Sequence, residues 1–343
     1  MRAPLSSPFL RHKGFSLVEL MISLALGGLI IAAVGTVYLG SRQSFRTQDA
    51  MARMQEGARY AFELMTFDIR QAGFTECAPK SKTYSTLNGT DWFNNLATQP
   101  LFGYESGAGL PAAVAGELAN TDALRILRAD SSGDFRVASH NGSAASFQLV
   151  ANHNLKQGEI LTVVPPDCSK AVTFQMSNVN NNNTIDVVVH NTGVGAPGNS
   201  TKCLDDPAGT LCSSPSTYPD LPADSKIMRM SGNIYFIRNN PNNIPSLYRL
   251  HGTDVNPEEM VEGVEDMQIT YGEDTSQASL PDCPDDVCSA DVYVDADDVI
   301  NWNRVVSVRL TLGMLTPETG VGAGGDGRIH KTFTTTIAVR NRL

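Results

Sequence analysis

The feature that most constrains this chain is an uncharged stretch near its start. From Leu20 to Ser41, 22 consecutive residues carry no charge. As an α-helix they extend about 33 Å at ~1.5 Å per residue, enough to cross a hydrocarbon layer of about 30 Å. The 343-residue sequence has no second stretch of this kind, which excludes a polytopic membrane architecture. Arg2, Arg11 and Lys13 precede it and predict a cytoplasmic N-terminus with the remainder outside. Two ordinary explanations fit poorly. A cleaved secretory signal has an apolar region of only about 7–15 residues, ending at a small-x-small site. A plain anchor leaves Glu19 unexplained, because a carboxylate within a membrane segment is costly and marks a functional position.

The run Lys13-Gly14-Phe15-Ser16-Leu17-Val18-Glu19-Leu20 resembles the type III signal of type IV pilins and pseudopilins. The resemblance implies that prepilin peptidase cuts between Gly14 and Phe15 and methylates the new amine of Phe15. Residues 1–14 would then be a leader peptide, and Glu19 would be the fifth residue of the mature chain. The physics agrees with that assignment. Cutting creates a cationic amine, and methylation keeps its charge. In a filament of packed N-terminal helices, Glu19 of one subunit can neutralise the amine of a neighbour. An unpaired buried charge is expensive, so this pairing sets the axial register.

Beyond Gly40 the pattern turns amphipathic. Met51, Met54, Ala58, Ala61, Met65, Ile69 and Ala72 recur at spacings of three and four and define one helix face. Arg42, Arg46, Asp49, Arg53, Glu56, Arg59 and Glu63 lie mostly off it. Gly73 followed by Phe74 and Pro79 reads as a stop. One helix over about 15–73 is predicted, with 15–41 in the membrane or a filament core and 42–74 packed on the body. Gly27, Gly28, Gly35 and Gly40 weaken it and predict bending or local melting in a filament.

From 75 to 343 strands dominate, predicted at 123–128, 146–151, 159–164, 171–176, 184–190, 227–238, 246–250, 260–271, 305–315 and 331–339. Val306, Val308, Leu310, Leu312 and Met314 alternate with Ser307, Arg309 and Thr311, the period-two pattern of an antiparallel sheet. Residues 178–222, rich in Asn, Gly and Pro, read as surface loops and short strands. The expected class is α+β: a long N-terminal helix, half transmembrane and half amphipathic, packed on an antiparallel β-sheet body, pilin-like.

Three C-terminal pieces resemble the PilW class of minor pilins: Val261–Gly272, the strand 305–312 after Trp302, and the ending from Phe333 through Ala338-Val339-Arg340-Asn341-Arg342. Within the helix, Gly57–Tyr60 and Asp68–Phe74 fit the same pattern. That resemblance implies a structural subunit that helps prime type IV pilus assembly, adhesion and twitching motility. Its implied partners are other minor pilins, the major pilin, prepilin peptidase and a tip adhesin. It would be stored in the inner membrane with a periplasmic body, then moved to the cell surface. A J-type pseudopilin of type II secretion is the alternative, and a signal-anchored binding or adhesive module a further one.

The remaining signals concern chemistry beyond assembly. A formal charge of −10 with 26 Lys and Arg argues against nucleic acid as a partner. No nucleophile elbow, zincin, P-loop or dinucleotide motif is present, so no enzyme is expected. Six cysteines, without a C-x-x-C pair, suit three disulfides in an oxidising compartment. Of the fifteen possible connectivities, short loops favour Cys203–Cys212 and Cys283–Cys288, which leaves Cys77–Cys168. An acidic run from Glu273 to Asp298 has no Lys or Arg. Its Asp291, Asp295, Asp297 and Asp298 are candidate Ca²⁺ ligands, since hard carboxylate oxygens suit that ion. Their spacing is not that of an EF-hand, and the plainer reading is a solvated acidic loop or one facing a basic partner. No firm cofactor follows.

Overall fold

The structure, a computed structural model, describes residues 14–77, 82–89, 92–96, 99–112, 114–150, 153–181, 185–193, 195–252, 256–275 and 289–340. One helix, α1 (Leu17–Arg70), precedes a body of strands. In chain order these are β1 (Lys82–Ser85), β2 (Leu101–Tyr104), β3 (Ala123–Asn141), β4 (Ser146–Val150) and β5 (Ile160–Val164). There follow β6 (Lys170–Gln175), β7 (Asn178–Asn181), β8 (Ile185–Val189), β9 (Lys226–Asn239) and β10 (Pro245–His251). The last are β11 (Glu258–Glu262), β12 (Val264–Glu273), β13 (Val292–Val294), β14 (Val305–Leu315) and β15 (His330–Ala338).

The large sheet is organised by two long strands. The first half of β3 lies between β2 and the second half of β9, which continues to β10 and β11. The second half of β3 turns to β4, β8 and β7, while the first half of β9 turns to β5, β6 and β1. β3 and β9 thus serve two lobes, and their register slips between Asp130 and Phe135 where the lobes diverge. The small sheet has the order β13-β12-β14-β15 and is antiparallel throughout. Only β1–β6 pairs in parallel among the described strands.

The stripe predicted on α1 builds the first core. Met54, Ala58, Ala61, Met65, Ile69 and Ala72 are buried against Leu124, Tyr235 and Ile237 of the large sheet and Met267, Leu310 and Met314 of the small one. Small side chains at 58 and 61 let the helix pack on both sheets, Met54 and Met65 fill the gaps between them, and Ala72 joins this core from the turn after the helix. Met51 sits at the margin, half-buried. A second core of Val137, Phe147, Leu161, Val163, Phe174 and Val188 fills the other lobe and includes no helix residue.

Residues 260–271 read as one strand, but the structure divides them. Gly263 adopts φ +81° between β11 and β12, and the chain passes there from the large sheet to the small one. Its N–H donates to the Pro245 carbonyl at 2.9 Å and its own carbonyl accepts from Leu315 N–H at 2.8 Å. A Cβ at this position would lie 2.5 Å from the Leu315 oxygen. Gly263→Ala is expected to cost at least about 2 kcal/mol, from left-handed strain plus that overlap. Gly116 has the same φ of +81° with open space around a Cβ. Gly116→Ala should therefore show the strain alone, about 1–2 kcal/mol. Denaturant midpoints of the two variants check this, and equal losses would contradict it.

The segment 178–222 is less superficial than its composition suggests. Asn199 is buried and acts as a strand substitute: its side chain accepts from Gln175 N–H and donates to Gln175 C=O, both at 2.7 Å. His190, Leu204 and Leu221 are buried as well. A polar composition is compatible with burial when every amide finds a partner.

Candidate assembly helix and its junction with the body

At the start of the helix, Gly14, Phe15 and Ser16 are non-helical and exposed, with Phe15 at 83%. The Gly14–Phe15 bond therefore lies outside the regular helix. Ser16 caps the helix. Its Oγ accepts from Glu19 N–H at 3.2 Å, and Glu19 Oε2 accepts from Ser16 N–H at 3.0 Å. This capping box was legible in Ser16-Leu17-Val18-Glu19 as the S-x-x-E pattern ahead of an apolar run. Glu19 thus rests against the main chain one residue from the amine that cutting would create.

Among the described residues the apolar half has no partner in the body. An 18-residue window of mean hydropathy 2.4 is entirely unburied. A Cβ placed on Gly27, Gly28, Gly35 or Gly40 would meet nothing within 4 Å. The helix runs unbroken through them. Burial of this surface must come from a membrane or from other helices.

The junction with the body is pinned by one carboxylate. Asp68 falls on the apolar stripe, three residues after Met65, and is only 3% exposed. Its Oδ2 accepts from Tyr235 Oη at 2.6 Å and from Asn233 Nδ2 at 2.5 Å. Arg128 Nε lies 3.4 Å from Oδ1, with the guanidinium 5.3 Å from the Phe67 ring centre. Asn233 Oδ1 accepts in turn from His251 Nδ1 at 2.7 Å, which fixes the proton of His251 on Nδ1. Burial, reinforced by the neighbouring Asp68 charge, holds the Tyr235 phenol above its ordinary pKa. After Gln71 closes the helix, Gly73 takes φ +75° and its N–H donates to Leu127 C=O at 2.8 Å, leading the chain onto β3.

Among the described residues two disulfides are present, Cys77–Cys168 and Cys203–Cys212. Cys283 and Cys288 lie outside the described residues. The acidic run divides on folding. Glu273 is buried and accepts from Asn301 N–H at 2.9 Å and Ile300 N–H at 3.3 Å. Asp291 holds Thr275 through its N–H and hydroxyl at 2.8 and 3.0 Å, while Asp295, Asp297 and Asp298 are exposed around a short 3-10 turn. Among the described residues, no three acidic, His or Cys side chains are grouped to hold a metal ion.

A site that spacing could not reveal lies in the second lobe. His140 and His190, buried beside Phe147 and Phe174, face each other with Nε2 atoms 3.1 Å apart. His140 Nδ1 accepts from Leu221 N–H at 3.0 Å, so its proton is on Nε2 and is donated to His190. Both rings are neutral: burial lowers His140 to about 4 and His190 to about 3.

A single long helix, apolar and bare in its first half and seated on a β-sheet body in its second, behind a Gly–Phe–x–x–x–Glu start, is the arrangement of a type IV pilin. Residues 10–35 match the family model of the prokaryotic N-terminal methylation motif, and residues 234–341 match that of type IV pilus-assembly protein W. The two matches support a type IV pilin of the PilW class. No curated protein and no solved structure matches it.

Proposed function

We propose that this pilin is a minor subunit that helps prime type IV pilus assembly. It is held in the inner membrane by the first half of α1 with its body in the periplasm. Prepilin peptidase cuts between Gly14 and Phe15 and methylates Phe15. The helix then leaves the lipid for a filament, where Glu19 exchanges its own Ser16 N–H for the amine of a neighbouring pilin. The observation that carries this reading is the contrast within one helix: the apolar half is entirely bare while the stripe from Met54 to Ala72 is buried in the body. A bare apolar helix rigidly mounted on a folded body can exchange one apolar surrounding for another without unfolding the body. Other minor pilins, the major pilin and a tip adhesin are its proposed partners.

The test is the intact mass and N-terminal sequence of the chain, expressed with and without prepilin peptidase. With the enzyme, the expected product begins at methylated Phe15; without it, residues 1–14 remain. Glu19→Ala is expected to leave the cut intact and to lower incorporation into filaments by at least about tenfold, as expected for an unmatched amine in an apolar core. An uncut chain beside active peptidase overturns the proposal.

A further inference from the structure

The end of the apolar segment coincides with a second attachment between body and helix. The connection from β14 to β15, residues 316–329, runs back along α1 toward its N-terminus. Glu318 meets Arg53 at 3.4 Å, the Val321 carbonyl accepts from Thr47 Oγ1 at 2.9 Å, and the Gly320 carbonyl accepts from Gln43 Nε2 at 2.6 Å. The strap is internally braced. Val321 and Gly322 N–H both donate to Gly327 C=O at 2.9 Å, and Ile329 N–H donates to Thr316 Oγ1 at 3.0 Å. Val321 is buried, while Ala323, Gly324 and Gly325 form an exposed, uncharged tip.

These contacts fix the body's height. Gln43 and Thr47 stand two and six residues beyond Ser41, about 3 and 9 Å along the axis. A headgroup layer is about 5–8 Å thick on each side of the hydrocarbon. With Leu20–Ser41 in the hydrocarbon, the Gly320 contact therefore lies at headgroup depth and the Val321 contact at the outer edge of that layer. The helix surface there has matching chemistry. Tyr38 and Phe45 (71% exposed) are seven residues apart on one face, and aromatic rings favour the membrane–water boundary. Arg42 and Arg46 are exposed one turn apart and make no ion pair among the described residues. The nearby acids are engaged elsewhere: Asp49 with Arg53 at 2.7 Å, Glu318 with Arg53, and Asp326 with His330 at 2.9 Å.

We propose that Arg42 and Arg46 bind the phosphates of anionic lipid headgroups and, together with the strap tip, dock the body on the membrane surface before assembly. This rests on the reading that the first half of α1 spans a membrane. Docking would hold the body at one angle to the membrane, because the strap prevents it from pivoting about Gln43.

The test uses the full chain in vesicles with a nitroxide amino acid at position 323 or, separately, at position 30. In vesicles containing phosphatidylglycerol, the nitroxide at 323 is expected at headgroup depth and that at 30 in the hydrocarbon. Arg42→Gln with Arg46→Gln, or phosphatidylcholine alone, should lower the docked-to-lifted ratio at 323 by about thirtyfold and leave position 30 unmoved. A water-exposed nitroxide at 323 with position 30 in the hydrocarbon overturns the docking and spares the membrane reading. The same depth at 323 in both lipids and in the double variant overturns lipid-charge recognition. A nitroxide at 30 outside the hydrocarbon overturns both.

Discussion

Replacing Asp68 by alanine is expected to destabilise the seat of α1 on the body by about 3–5 kcal/mol, the range for removing one partner of a buried charged network. The loss comes from what remains. The Tyr235 hydroxyl, the Asn233 amide and the Arg128 guanidinium all lose the carboxylate they converge on, and water has little access to them. Tyr235→Phe removes one donor and keeps the acceptor satisfied by Asn233, so it should cost only about 1 kcal/mol. In Asp68→Ala with Tyr235→Phe, the hydroxyl left unpaired by the first change is gone. The double variant should thus be less destabilised than the sum of the singles by about 1–2 kcal/mol. Denaturant unfolding of the full chain in detergent, with hydrogen exchange read along residues 54–72, checks both the size and the place of the effect. A loss below about 1 kcal/mol in Asp68→Ala would show that the network is not what holds the helix.

The consequence reaches assembly. In the proposed filament role, load would pass from the helix to the body, and Asp68 is a buried polar contact at the body end of that helix. Hydrophobic contacts of Met54, Ala58, Ala61 and Met65 tolerate sliding by a fraction of a turn. Directed hydrogen bonds from two β9 residues to one carboxylate do not. We therefore expect the Asp68→Ala body to remain folded in its second lobe, whose core includes no helix residue, while the helix seat loosens.

Sequence reading succeeded where information is local. The apolar run and the stripe on α1 are each written within one segment, and β14 falls on the predicted 305–315. It failed where partners are distant. β1, β2, β7 and β13 are three or four residues long and exist because a neighbouring strand supplies their hydrogen bonds. The break at Gly263 is invisible to hydrophobic alternation, because the apolar pattern continues on both sides while the chain changes sheets. Asp68 was within reach: a lone acid on an otherwise apolar stripe signals a buried, partnered charge. The capping partner of Glu19 was equally available. His140 and His190 were not, since fifty residues separate them and only the pairing of β4 with both β3 and β8 brings them together.

That histidine pair makes the second lobe the acid-sensitive part of the molecule. Each ring is held below the ordinary histidine pKa of 6.5, to about 4 for His140 and about 3 for His190. The unfolded chain therefore binds protons in a range where the folded chain does not, and stability falls as pH drops from about 6.5 toward 3. Between pH 7.5 and 4.5 the two rings together are expected to remove roughly 5 kcal/mol. Burial is the main cause for both, and the charges around them divide: Asp220 favours protonation of His140, while Lys170 opposes it, and Lys202 and His140 oppose it at His190. Two groups in the other lobe act in the opposite sense. Burial holds Glu105 and Asp122 above the ordinary carboxylate range, so acid relieves rather than strains them. The expected result is thus local: on acidification to pH 4.5, amide protection falls first in β4, β6 and β8, while α1 from Met54 to Ile69 stays protected. His140→Gln with His190→Gln keeps a hydrogen-bonding pair without a titrating ring, and should move the loss below pH 4. Proton NMR of the imidazoles gives the independent check, since neither ring should titrate above pH 5 in the folded chain. A normal titration near pH 6.5 at either ring, or equal acid loss in the double variant, would place the sensitivity elsewhere.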